Sequence, residues 1–153
     1  MRADRAEYEV EGWGVGEVWL DGARLLWHEL PRPGVAAGGA RHPLADRLAA
    51  YFAGSRDEFL DVEVDLEDPT PFQRAVLETL RRIPYGETVT YGELAALAGH
   101  PNAQRAAGTF CAHNRFPLVV PCHRVVAADG LGSYGSLGLE YKRRLLELEG
   151  AAL

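Results

Sequence analysis

The sequence predicts an α+β chain in two parts, a sheet-and-helix part over residues 1–67 and a mostly helical part over residues 68–153. Three observations predict it. Two apolar runs flank the dipeptide Asp21-Gly22, which suits a tight turn between antiparallel strands. Two capping boxes, Thr70-Pro71-Phe72-Gln73 and Thr90-Tyr91-Gly92-Glu93, each open an apolar helical period. Short Gly- and Pro-containing breakers separate the segments, with the division between the parts at Glu67–Pro69.

In order along the chain, VGEVWL and ARLLWHEL form the two arms of the hairpin. PRPGVAAGGARHP is a loop, because it has no apolar period and is rich in Gly and Pro. LADRLAAYFAG puts Leu44, Leu48, Tyr51 and Phe52 on one helical face and stops at Gly54. LDVEVDL alternates strictly, the pattern of a half-buried strand. From Thr70, the residues Phe72, Ala75, Val76, Leu80 and Ile83 keep a helical period that Pro84-Tyr85-Gly86 ends. From Thr90, YGELAALA is a second helix with Gly99 as its stop. NAQRAAGTFCA is a third, and two short helices joined by a Gly-containing turn suggest a helix-turn-helix. The apolar LVVP and the Gly-rich DGLGSYGSLG lead to a last helix, LEYKRRLLELE, which ends at Gly150.

A chain of 153 residues buries enough surface to need no disulfide or metal staple, and two cysteines make no disulfide framework. The first residues, MRADRAEYEVEGWG, hold no apolar signal core, and no apolar run is long enough to span a bilayer. A cytoplasmic location with free thiols is expected, with no membrane partner. The net charge of −6 argues at first against nucleic acid. Its distribution reverses that reading: residues 1–65 carry 7 Lys/Arg against 13 Asp/Glu, and residues 66–153 carry 9 against 9. The second part is therefore free to present a local basic face.

Chemistry is concentrated at Leu118–Val126, LVVPCHRVV, where Pro, Cys, His and Arg interrupt two β-branched runs. A thiolate is the nucleophile, and an imidazole or guanidinium nearby favours its formation. In an extended segment His123 would point away from Cys122, so contact requires a turn, which Pro121 permits, or an intervening water. Taken alone the pair leaves a buried structural cysteine open. Cys111, His113, Cys122 and His123 are ligand types, but an adjacent Cys-His pair chelates zinc poorly, and no metal is expected. Gly12, Gly14 and Gly16 precede a strand instead of opening a helix, so no nucleotide or other cofactor is expected. The third helix displays Ala103, Ala106, Ala107 and Gly108 with one long charged side chain, Arg105. Such a face either approaches a narrow groove closely or packs tightly in a core.

PCHRVV, the preceding NRFPLVV, the upstream TVTYGELA and NAQRAAG, and the closing GSYGS…LLELEG resemble the O6-alkylguanine-DNA alkyltransferases, also called methylated-DNA–protein-cysteine methyltransferases. The resemblance covers residues 69–150 closely and in order; residues 1–65 match only in general layout. It implies a small RNase H-like N-terminal α/β domain followed by a winged helix-turn-helix-like domain. It also implies repair of DNA by direct reversal, without cofactor, by a monomer that binds alkylated double-stranded DNA through the minor groove.

By the same resemblance Cys122 is the acceptor, taking the alkyl group from guanine O6 in a single irreversible displacement, so that each molecule acts once. His123 is its base, working through a water and supported by Glu149, and Asn114 braces the turn before the acceptor. The target base must leave the stack. Arg105 fills the vacated place and Tyr91 presses on a backbone phosphate, with Thr90, Gln104 and Ala106 alongside on the DNA-binding side. Tyr134 hydrogen-bonds the flipped guanine, Val125 and Ser136 contribute backbone groups, and Pro117 lines the alkyl end. The loop after Tyr134 is one residue longer than the family pattern, which leaves Gly135 and Ser136 as alternatives for the oxygen contact. The zinc ligands of some relatives' N-terminal parts are absent, and Cys111, to which the resemblance gives no role, reads as structural.

Two other readings compete. A non-catalytic alkyltransferase-like protein binds the lesion and recruits other factors, but such relatives replace the cysteine that stands here as Cys122. A winged-helix regulator requires several base-reading side chains on the third helix, where only Gln104 and Arg105 qualify.

Overall fold

The computed structural model describes residues 3–153 and is α+β. It comprises two compact units. One runs to Asp65 and takes in Arg115–Pro117; the other comprises Leu66–Asn114 and Leu118–Leu153. No helix of the described residues is long and apolar enough to cross a membrane.

The first unit is a three-stranded antiparallel sheet, β1 (Asp4–Val10), β2 (Gly14–Asp21) and β3 (Arg24–Arg32), with one helix, α1 (Pro43–Phe52). The β2–β3 hairpin forms as expected, but its turn lies one residue further on: Asp21 pairs with Arg24, and Gly22, with φ +63°, and Ala23 make the turn. Ala6 and Tyr8 on β1, and Val18 and Leu20 on β2, point into the core by the two-residue period of a strand. Leu44, Leu48, Tyr51 and Phe52 of α1 are buried, as their helical spacing predicts. Gly16 pairs with Tyr8, and a side-chain carbon at Gly16 would lie 2.3 Å from the Tyr8 ring, so only glycine admits the tyrosine there. The Tyr8 hydroxyl reaches His28 Nε2 at 2.6 Å, and His28 Nδ1 donates to Pro117 O at 2.7 Å. The backbone N–H of His28 also donates to Arg115 O, at 2.9 Å. These bonds hold residues 115–117 against β3.

Two sequence expectations fail in this unit. β1 is a full strand where none was expected. The alternating run LDVEVDL is not a strand: it makes a single parallel bridge, Leu25 to Val64. The physical reason lies at its ends. Phe59, Glu67 and Asp68 adopt positive φ, which turns the chain at both sides, and Leu60 is exposed instead of buried.

The second unit holds α2 (Pro71–Arg81), β4 (Val89–Thr90), α3 (Tyr91–Leu97), α4 (Gln104–Ala112), β5 (Val125–Val126) and α5 (Gly138–Leu148). Both predicted capping boxes are complete, with Thr70 and Gln73 on α2 and Thr90 and Glu93 on α3 exchanging side-chain and backbone bonds. A cap of this kind contributes about 1 kcal/mol. Gly99 and Asn102 take positive φ in the turn from α3 to α4. Strands β4 and β5 pair in parallel, Val89 with Val125 and Thr90 with Val126. Val76, Leu80, Leu94, Ala95, Ala107, Val119, Val120, Val125, Leu145 and Leu146 form the core. The stretch Leu118–Pro121 is a series of turns and not a strand, and Cys122–Arg124 is a single 3-10 turn.

Candidate active site

The proline of LVVPCHRVV sets the geometry of the thiol. Pro121 has φ −81° and ψ 63°, the central residue of an inverse γ-turn, closed by Cys122 N–H donating to Val120 O at 2.8 Å. Arg124 N–H then donates to Pro121 O at 3.0 Å and makes the 3-10 turn. The Asn114 side-chain amide donates to the same Val120 carbonyl at 2.8 Å, which ties the segment after α4 to the γ-turn. Because Cys122 and His123 occupy a helical turn, strand alternation does not separate them.

Cys122 is buried. Burial holds its proton on and pushes the thiol well above its ordinary range, and a hydrogen bond with the Cys111 thiol acts in the same direction. The Asn114 amide and the nearby Lys142 ammonium oppose this. The resting group is therefore a thiol, and chemistry at sulfur requires a base.

His123 is fully buried, and burial lowers its basicity from the usual imidazole value, against the pull of Glu149. Its Nε2 lies 2.8 Å from Glu149 Oε2, while its Nδ1 is buried with no hydrogen-bond partner among the described residues. A carboxylate only accepts, so Nε2 carries the proton and the Nδ1 lone pair is left open. Burial alone would raise the Glu149 carboxyl. Hydrogen bonds and charge from His123 and Arg124 outweigh it and hold Glu149 well below the usual carboxylate range. Arg124 clamps both oxygens, Nε to Oε1 and Nη2 to Oε2, each at 2.9 Å, and its Nη1 donates to Ile83 O at 2.7 Å. Gly86 N–H donates to Oε1 at 3.1 Å. Four donors thus stabilise a carboxylate at the C-terminal end of α5, where the helix dipole opposes negative charge.

Arg124 was expected beside the thiol, but its guanidinium holds Glu149 instead, and Gly86 was not anticipated at the site. Lys142 was not anticipated either. It is buried, with Nζ donating to Val125 O at 2.6 Å and Ser133 O at 3.2 Å, and burial lowers it to about 8. Its stem position on α5 was visible, but a lysine in KRR reads as surface charge.

The remaining expected residues divide. Tyr134 has a buried hydroxyl with no hydrogen-bond partner among the described residues, and its ring lies 6.5 Å from that of Tyr141. Gly135 and Ser136 are exposed on the following 3-10 turn, Gly135–Leu137. Val125 spends its N–H on Cys122 O, and its carbonyl accepts from Lys142. Tyr91 is half-buried between Gly108 and Gly132, its ring 5.8 Å from Lys142 Nζ and its hydroxyl engaged by Ser133. Thr90 uses its hydroxyl to cap α3. Gln104, Arg105 and Ala106 are exposed on the first turn of α4. Pro117 belongs to the first unit, where its carbonyl accepts from His28.

A family model described as 6-O-methylguanine DNA methyltransferase, DNA binding domain, matches residues 71–151. The methylated-DNA–protein-cysteine methyltransferase of Mycobacterium tuberculosis (strain ATCC 25618 / H37Rv) is 50% identical over 123 residues, 80% of this chain and 70% of that protein. The protein of the same name from Methanopyrus kandleri is 52% identical over 111 residues, 72% of this chain and 81% of that protein. Among solved structures, Mycobacterium tuberculosis OGT in complex with DNA matches with a TM-score of 0.78 at 39% identity, covering 95% of this chain and 92% of that one. The O6-methylguanine-DNA methyltransferase of Pyrococcus kodakaraensis strain KOD1 matches with a TM-score of 0.75 at 28% identity, over 98% and 100% of the two chains. An α+β fold, a buried thiol next to a carboxylate-held imidazole, and a DNA-binding-domain match define the class as cysteine-dependent DNA alkyltransferases. The chain belongs to the methylated-DNA–protein-cysteine methyltransferase family.

Proposed function

We propose that the protein repairs alkylated DNA by transferring an alkyl group, methyl in the simplest case, from guanine O6 to Cys122. One observation carries the reading: Glu149 fixes the His123 proton on Nε2 and leaves a buried, unpartnered Nδ1 one residue along from a buried thiol. The Cys122 proton passes to Nδ1 through a water, and the sulfur attacks the alkyl carbon. The C–S bond forms as the C–O6 bond breaks, and guanine departs with the electron pair of that bond. The imidazolium formed on His123 is stabilised by the Glu149 carboxylate, and the unpartnered Tyr134 hydroxyl is a donor for the base. The thioether has no group to cleave it, so each molecule reacts once.

The target atom is inside a stacked duplex, so the base flips out. Arg105 makes no ion pair among the described residues and stands on the exposed first turn of α4 beside Gln104 and the small Ala106, which supports a finger entering the minor groove. Helices α3 and α4 with the β4–β5 pair support a winged helix-turn-helix, and the β1–β3 sheet with α1 supports an RNase H-like first domain. The protein acts as a cytoplasmic monomer. The presence of Cys122 with its complete relay favours chemistry over lesion binding alone.

The test is mass spectrometry after incubation with O6-methylguanine duplex DNA and no cofactor. One methyl mass appears on the peptide containing Cys122, stoichiometric with protein, and Cys122→Ala retains DNA binding without transfer. A methyl group on Cys111, or none, refutes the acceptor assignment.

A further inference from the structure

The chain joins the first unit for Arg115–Pro117 and leaves it five positions before Cys122. One residue of β3 grips both ends of that segment. The backbone N–H of His28 donates to Arg115 O at 2.9 Å, and its side-chain Nδ1 donates to Pro117 O at 2.7 Å. A carbonyl only accepts, so Nδ1 carries the proton, and Nε2 accepts from the Tyr8 hydroxyl at 2.6 Å. Directly after the gripped segment, Leu118 has φ +71°, a left-handed conformation that a bulky side chain disfavours. Such a conformation persists only where the residues around it hold it in place. Downstream the fixed points are the buried Val119 and Val120, with the Asn114 amide on Val120 O. Upstream the fixed point is Pro117, whose carbonyl is held by His28. Val120 O is also the acceptor that closes the γ-turn at Cys122.

We propose that His28 is a positioning residue for alkyl transfer: by gripping Arg115 and Pro117 it keeps Leu118 left-handed, and so keeps Val120 O where it sets the turn that aims the Cys122 sulfur. It acts through the backbone and not on the reacting atoms. Without the Nδ1 bond, Pro117 O loses its donor, and Leu118 relaxes toward negative φ, carrying Val119 and Val120 with it. A shift of about 1 Å at a reacting atom, caused from a distance, is enough to slow a reaction by about 10²-fold. The first unit thereby takes a part in the chemistry: β1 supplies Tyr8, Gly16 of β2 leaves the space that admits it, and β3 supplies the grip. The proposal rests on Cys122 being the alkyl acceptor.

The experiment compares the full chain with His28→Leu, His28→Gln and His28→Asn at neutral pH, where burial keeps His28 uncharged. An asparagine amide stands where Nδ1 does and donates to Pro117 O; a glutamine amide stands where Nε2 does and faces Tyr8; leucine offers neither. Single-turnover methyl transfer from O6-methylguanine duplex DNA is measured as a rate at saturation and, separately, as an affinity for the DNA. His28→Leu and His28→Gln are expected to lower the saturating rate by about 10–10²-fold with affinity unchanged, and His28→Asn to restore it to within about threefold. A role in stability alone lowers urea midpoints and leaves the saturating rate of every folded variant at the wild-type value; that result overturns the proposal. Equal losses of rate in His28→Asn and His28→Gln overturn it too, and this pair decides if His28→Leu does not fold. Methyl that maps away from Cys122 in the wild type overturns the acceptor reading and the proposal with it. Methyl on Cys122 at the same rate in all variants overturns the proposal alone.

Discussion

Glu149 Oε2 accepts the Nε2 proton of His123 at 2.8 Å, and this one bond decides which imidazole nitrogen is a base. The other nitrogen, Nδ1, has no hydrogen-bond partner among the described residues. The carboxylate therefore acts at a distance from sulfur: it selects a tautomer before reaction and stabilises the imidazolium afterwards.

Glu149→Gln tests this directly. A glutamine amide group facing Nε2 would donate to it, move the histidine proton to Nδ1 and abolish the base. Transfer is expected to fall by about 10²–10⁴-fold, the usual worth of a general base. Nitrogen NMR of His123 is expected to report the Nδ1–H form. Removing the charge also leaves Arg124 buried without its partner, at a cost of about 3–5 kcal/mol in stability. Wild-type tautomer with normal transfer in the variant would falsify the relay.

Gly86 offers a second test of the same carboxylate. Its φ is +82°, and a side-chain carbon added there would lie 2.9 Å from Glu149 O, a backbone atom. Its N–H also holds Glu149 Oε1. Gly86→Ala is expected to lower stability by more than about 1 kcal/mol, from the conformational cost alone, and to slow transfer as Glu149 shifts. Denaturant midpoints and single-turnover rates check this; an unchanged rate with lowered stability would limit Gly86 to the fold.

These two residues mark where the sequence was legible and where it was not. His123, Glu149 and Asn114 were named through the family resemblance; Pro121 announces the turn at Cys122 and His123, whereas Glu149 meets His123 across 26 positions. Gly86 was read as a helix stop and nothing more, because its partner lies 63 positions away. Arg124 was read as a possible neighbour of the thiol, yet its donors go to Glu149 and Ile83. Nothing local distinguishes those outcomes. In the first unit the alternation of LDVEVDL was real but decided nothing, since turns at Phe59 and Glu67–Asp68 allow one bridge. The alternation of Ala6, Tyr8 and Val10 in DRAEYEV was also present and did mark a strand, although the interleaved charges obscured it.

His28 predicts a pH dependence of stability. Burial lowers it from 6.5 to about 4, so the folded protein holds it neutral, with Nδ1 donating to Pro117 O. Below the unfolded value the unfolded chain binds a proton that the folded chain refuses, so stability is complete above about 6.5 and declines as pH falls toward 4. The loss is about 3 kcal/mol across that window. His123, also lowered, contributes in the same direction. Urea denaturation of wild type and His28→Gln between pH 7 and 4.5 separates the two, the variant losing less on acidification. Parallel curves for the two proteins would remove His28 as the cause.

Arg105 predicts a separation between chemistry and DNA engagement. It stands on the exposed first turn of α4, whereas the relay is built from the 3-10 turn at Cys122 and the end of α5. Arg105→Ala leaves the thiol, its base and the Asn114 brace untouched. Reaction with free O6-alkylguanine base, which needs no flipping, is expected to proceed near the wild-type rate. Reaction with the same lesion in duplex DNA is expected to slow by at least about tenfold, since a flipped base with nothing in its place pays the unstacking cost of a few kcal/mol uncompensated. Raising salt should weaken duplex binding in both proteins as phosphate contacts release counterions, with a shallower slope for the variant if the guanidinium also meets a phosphate. Equal losses on base and duplex would assign Arg105 to the fold of α4 and leave the vacated stack to another side chain.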